Sequence, residues 1–105
     1  MKFLVISKQK YQIPPEAAVP LIDAFMAYID KYTASGKLET IWSYAGGQDG
    51  GGIANVGSLD ELDALLAEYP FRPFSDVEIH PLVDTKGSIQ RTKQRILAMA
   101  QMSSG

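Results

Sequence analysis

Leu38-Glu39-Thr40-Ile41-Trp42-Ser43-Tyr44-Ala45 is followed by Gly46-Gly47-Gln48-Asp49-Gly50-Gly51-Gly52 and then by Ile53-Ala54-Asn55-Val56. The outer pieces of this stretch read as two short strands, and the glycines between them as a flexible hairpin connection. Alternation along the first strand puts Leu38, Trp42 and Tyr44 on one side and Glu39, Ile41 and Ser43 on the other. A phosphate-cradling role for the glycines does not fit. No Lys-Ser or Lys-Thr follows them, and they join strand to strand rather than strand to helix. Asp49 among them is a single carboxylate, which by itself makes no metal site.

Working outward, each side of this strand pair carries a helix pattern. Upstream, residues 16–34 place Val19, Ile22, Phe25, Met26 and Ile29 at helical spacing, with Gly36 as a C-terminal stop. Pro20 sits awkwardly there and predicts a later start or a bend. Ala24, Ala27 and Tyr28 widen the apolar face almost around this helix, which predicts cover from a second chain. Downstream, Ser58 with Glu61 forms a capping box for a helix bearing Leu59, Leu62, Leu65 and Leu66, ending before Pro70. Phe3–Ser7 and Asp76–Val83 read as the outermost strands, and Ser88–Met102 as a last helix with Ile89, Ile96, Leu97 and Ala100 on one face. Ser103-Ser104-Gly105 reads as a frayed end.

The order β-α-β-β-α-β plus a tail helix is the split arrangement of ferredoxin-like α+β folds. It predicts an antiparallel four-stranded sheet with two helices on one face. Strands one and two are apolar on both sides, so the second face needs cover too. Face-to-face packing of two such sheets, giving a dimeric α+β barrel, supplies it.

Composition narrows the function. A 105-residue chain, 46% hydrophobic and 21% charged, suits one globular domain. With no Cys and one His, disulfides, thiolate sites and His-rich metal sites are excluded. The net charge of −2 argues against nucleic acid. Charge is uneven: residues 1–15 carry +3, residues 16–84 carry −9 and residues 85–105 carry +4. A basic tail on an acidic body predicts docking on another subunit. The apolar run Phe3–Ile6 is too short for a signal peptide, and no stretch matches a membrane span, so a cytoplasmic protein is expected.

The stretch from Gly36 to Ile89 resembles muconolactone isomerase. The resemblance is carried by Gly36, Trp42, Ala45-Gly46, Val56, Ser58, Leu62, Leu66, Pro70, Pro73, Asp76, Glu78, Leu82 and Ser88-Ile89. Phe3 and Val5 fit the first strand, with a shorter connector to Pro15. It covers residues 1–89, and residues 90–105 form a helical extension beyond it. The resemblance implies a homodimer or larger homo-oligomer and cofactor-independent proton transfer on a small lactone carboxylate. That chemistry needs a base near the carbon acid and cations or donors for the developing negative charge. Here the chain departs from the family: Leu4 and Ile6 stand where it has inward His and Lys, Glu39 and Ser43 where it has Arg. The family's charged first helix becomes Ala24-Phe25-Met26-Ala27, and its aromatic hairpin residues become glycines.

By alternation Leu4, Ile6, Glu39, Ile41, Ser43, Ile53, Asn55, Glu78 and His80 share the face away from the helices, the expected barrel interior. Glu78 matches the family and His80 follows it on the same face. A carboxylate beside an imidazole in an apolar cavity makes a base and its partner, with Ser43 and Asn55 as donors to an oxygen. The plain alternative is an interface hydrogen bond. Trp42, Tyr44, Phe71 and Phe74 suit core and subunit contacts better than ligand stacking. The expected function is binding or isomerising a small apolar organic compound between sheets, without a cofactor or metal. Its alternative is a non-catalytic binding or assembly module. A haem-binding barrel monooxygenase is a third reading, in which His80 would be the one His ligand.

Overall fold

The computed structural model describes residues 1–47 and 49–104. Gln48 of the glycine-rich connector and Gly105 of the terminal tripeptide lie outside the described residues. The elements run β1 (Lys2–Gln9), α1 (Pro15–Ala34), β2 (Leu38–Ser43), β3 (Gly50–Asn55), α2 (Leu59–Ala67), a 3-10 turn (Arg72–Phe74), β4 (Ser75–Leu82) and α3 (Thr85–Ser104). The sheet order is β2-β3-β1-β4 and every neighbouring pair is antiparallel. This is the ferredoxin-like α+β fold that the element order predicts.

Local chemistry sets the helix ends. Pro15 opens α1, where a missing N–H costs nothing. The helix runs unbroken through Pro20, which only removes the N–H that would bond the Glu16 carbonyl. Gly36, at φ 78°, ends it. At α2 the Ser58 hydroxyl accepts the Glu61 N–H at 3.1 Å. The Glu61 carboxylate accepts the Gly57 N–H at 2.8 Å, one residue earlier than in the usual reciprocal box. That bond first, and Lys37 at 3.3 Å second, hold the Glu61 carboxyl below its usual range.

The core lies between the sheet and the two body helices: Phe3, Ala54, Val56, Tyr32, Leu62, Leu65 and Leu66, flanked by Val5, Tyr28, Leu38 and Val77. Opposed residues in an antiparallel pair share a face. Phe3, Val5 and Ser7 therefore face the helices together with Val77, Ile79 and Pro81, while Leu4, Ile6, Glu78 and His80 face away.

Two expectations are corrected here. The glycines are not simply a loop, because Gly50–Gly52 form the first half of β3 and pair with both β1 and β2. The second concerns the face of β2. Its register shifts between Leu38 and Thr40, so Glu39 is an extra, bulged residue. One extra residue reverses the parity of everything after it. Ile41, opposite Gly52, and Ser43, opposite Gly50, face the helices, and Trp42, opposite Gly51, lies on the free face. Glycine permits this: a Cβ at Gly51 would stand 2.8 Å from the Trp42 ring and 2.6 Å from the Val5 carbonyl oxygen.

α3 begins three residues earlier than the sequence predicts, because Asp84 caps it. The Asp84 carboxylate accepts the Gly87 N–H at 2.8 Å, and its carbonyl accepts the Ser88 N–H at 2.9 Å. The helix projects from the body. The chain measures 70 × 27 × 24 Å with a radius of gyration of 18.9 Å, against about 13 Å for a compact chain of this length.

Candidate functional site

A cavity of about 490 Å³ opens between the helix side of the sheet and the two body helices. Its floor is what the sequence makes of β3. Gly50 and Gly52 present no side chains, so β1 contributes Val5 and Ser7, and β2 contributes Ile41 and Ser43, around a patch of bare backbone. The walls are Ile22, Phe25 and Tyr28 of α1, Leu65 and Leu66 of α2, and Tyr69 and Phe71 of the proline loop. Phe25 meets Phe71 edge-on at 5.4 Å and Tyr69 at 5.5 Å between ring centroids, so the aromatic wall is braced.

Polar groups are few. The Ser7 and Tyr69 hydroxyls are 2.9 Å apart. The Tyr28 hydroxyl donates to the Leu65 carbonyl at 2.7 Å. Burial pushes the Tyr28 phenol up, helped by Tyr32 and Glu68, so it remains a neutral donor. Asp49 borders the cavity and accepts the Gln9 N–H at 2.8 Å. Among the described residues no Lys, Arg or His lines the cavity. Nor do the described residues gather three or more His, Asp or Glu side chains in reach of one metal ion.

The sequence-predicted site residues divide. Leu4, Ile6, Glu39, Ile53, Asn55, Glu78 and His80 do share the free face. Ile41 and Ser43, turned by the bulge, line the cavity on the other side. Even on the free face the polar residues form two separate groups, because β2 and β4 are opposite edges of the sheet. At one edge Glu39 pairs with Lys2 at 3.1 Å and accepts from Asn55 at 3.0 Å. At the other, Glu78 pairs with His80 and with Lys8, each at 3.5 Å. Leu4, Ile6, Ile53 and Trp42 lie between them. Glu78 and His80 side chains are 51% and 57% exposed in the single chain, so burial is not what acts on Glu78. His80 first, then Lys8, hold its carboxyl below the usual range, which favours the ionised form and weakens it as a base.

Sequence reasoning missed Ser7 and Tyr69 as cavity groups and weighed Asp49 for a cation alone. The signal available was parity: Ser7 follows Phe3 and Val5 onto the core side, and a polar residue there marks a gap in the core.

Comparison with known proteins agrees with this fold. A muconolactone isomerase crystal structure superposes with a TM-score of 0.73 at 23% identity, over 80% of this chain and 90% of that one. A 5-chloro-2-hydroxyhydroquinone dehydrochlorinase from Burkholderia phenoliruptrix, in complex with 2,5-dihydroxybenzoquinone, superposes at 0.59 with 19% identity, over 83% and 98% of the two chains. Among curated proteins, a muconolactone delta-isomerase from Rhodococcus opacus is 38% identical over 56 residues, which are 53% of this chain and 60% of that relative's length. The family profile of muconolactone delta-isomerase runs over residues 1–86, from the start of β1 into the first turn of α3, and on that coverage the chain belongs to the muconolactone delta-isomerase family.

Proposed function

We propose that this family member binds a small, planar, uncharged organic compound in the cavity between sheet and helices, and isomerises it by intramolecular proton transfer without a cofactor. The observation that carries this reading is the lining: about 490 Å³ walled by aromatic and aliphatic side chains, with no cation among the described residues. A carboxylate desolvated in such a site needs a paired positive charge. A neutral ring needs only apolar walls and a few donors. Asp49 is the carboxylate at hand to take a proton, and the Ser7 and Tyr69 hydroxyls are donors for an oxygen that gains charge. The dehydrochlorinase relative holds a planar six-membered ring, a ligand of the kind this cavity suits.

A second reading keeps the chemistry on the free face, with Glu78 as base and His80 as its partner. It is favoured by their 3.5 Å contact and by the apolar strip of Leu4, Ile6 and Ile53 beside them. It requires a partner sheet to cover that face. The same strip supports assembly: we read the free face as the surface through which two copies pack.

The test compares muconolactone with a β,γ-unsaturated butenolide lacking the carboxylate, followed by ultraviolet absorbance, which rises as the butenolide gains conjugation and falls where muconolactone loses it. The neutral lactone should bind and turn over, and muconolactone should show no useful turnover. Rates on muconolactone comparable with a true isomerase would overturn the reading.

A further inference from the structure

We propose that α3 docks antiparallel along the outer face of α1 of a second copy of this chain. In its own chain α3 stands free, with every described side chain from Ile89 to Ser103 exposed. Yet it is amphipathic. Ile89, Thr92, Ile96, Met99 and Ala100 recur at three- and four-residue steps, and at about 100° per residue they form one stripe. Lys86 and Lys93, seven apart, border that stripe along one edge. A 20-residue helix with an uncovered apolar stripe is marginal alone in water and calls for a partner.

The outer face of α1 is its counterpart. Val19, Ile22 and Met26 are exposed large apolar residues on one stripe of a helix that is also 20 residues long, with Ile22 at the edge where that stripe meets the cavity. Glu16, Asp23 and Asp30, again seven apart, border that stripe and are exposed. Both helices span about 30 Å, and within them the α1 stripe runs about 10 Å and the α3 stripe about 16 Å, so the shorter lies wholly along the longer. Among the described residues none of these five charged groups has an ion-pair partner in its own chain. Viewed from the N-terminus, the acids of α1 and the lysines of α3 lie on the same side of their respective stripes. Antiparallel packing brings like-placed edges together, whereas parallel packing sets them apart. Antiparallel pairing therefore buries stripe on stripe and lays the lysine edge along the acidic edge. This contact is separate from packing through the free sheet face and does not depend on the ligand assignment.

The chain has no Cys, which makes cross-linking clean. Val19→Cys in an affinity-tagged chain and Ile96→Cys in an untagged chain place the two thiols opposite each other in the antiparallel register that sets Lys93 against Asp23 and Lys86 against Asp30. Mixed in a thiol–disulfide redox buffer, they should give the mixed disulfide several-fold above its statistical share, separated by size from the self-linked products. Lys86→Glu with Lys93→Glu on the Ile96→Cys chain should remove the excess. Glu16→Lys, Asp23→Lys and Asp30→Lys on the Val19→Cys chain should then restore it. A mixed product at its statistical share would overturn the proposal. So would a chain carrying both cysteines that closes on itself at monomer mass at every dilution.

Discussion

The two faces of one sheet are built from the same four strands and have opposite characters. The helix side carries Phe3, Val5, Ala54 and Val77, and opens where β3 is glycine into a cavity with no cation among the described residues. The free side carries Leu4, Ile6, Ile53 and Trp42, framed by the pairs Lys2–Glu39 and Lys8–Glu78. Alternation along the strands sorts the residues, and a single bulge at Glu39 re-sorts β2. On this sheet the ion pairs stand at the two edges of the free side, whereas the cavity on the helix side has no cation among the described residues and Asp49 at its border.

The contrast breaks hardest at the core. Leu65 is 2% exposed under the helix side. Leu65→Ala should lower stability by about 3 kcal/mol, since the loss of apolar transfer adds to a cavity already present nearby. Denaturant unfolding with an unchanged m-value would check it. On the free side the expected effect is on size. Ile6→Lys sets a charge in the apolar strip between two ion pairs, and light scattering should find the variant in a smaller assembly than the wild type. A wild type that stays monomeric at micromolar concentration would remove the interface from the account.

A subtler change should separate binding from folding. Ser43 lies at the cavity because of the bulge, so Ser43→Phe should fill it and weaken binding of the neutral butenolide at least tenfold, with stability little altered. Calorimetric titration beside a thermal melt reads both. The smallest effect concerns pH. The Glu78 carboxyl is held low by His80 and Lys8, so its contribution is present above the unfolded carboxylate value of about 4.3. It is lost as pH falls through the depressed folded value. Glu78→Gln should lose that small contribution at neutral pH, flatten the acid limb of the stability curve, and meet the wild type below the folded value.

Much of the fold is legible in the residues. Ser58 with Glu61 and Gly36 mark helix ends, and the run of elements from Phe3 to Leu82 gives the sheet. Less of the site is. Alternation handles Leu4, Ile6, Glu78 and His80 well, yet it counts residues, and a bulge is an uncounted one. Nothing in Leu38-Glu39-Thr40 announces it before the glycines opposite are seen as strand. Gly50–Gly52 read as loop because glycine is a poor strand former, and here the neighbouring strands override that preference. Asp84 is hard to read as a cap because the glycine at position 87 obscures the start of the helical pattern.

The central claim is that the ligand binds on the helix side of the sheet, away from the ion pairs of the free side. The most direct test is a crystal structure of the full chain grown with the neutral butenolide. The account predicts ligand density over the Gly50–Gly52 backbone, between Phe25 and Phe71 and within reach of the Ser7 and Tyr69 hydroxyls. Density instead against Glu78 and His80, enclosed between two sheets, would contradict it.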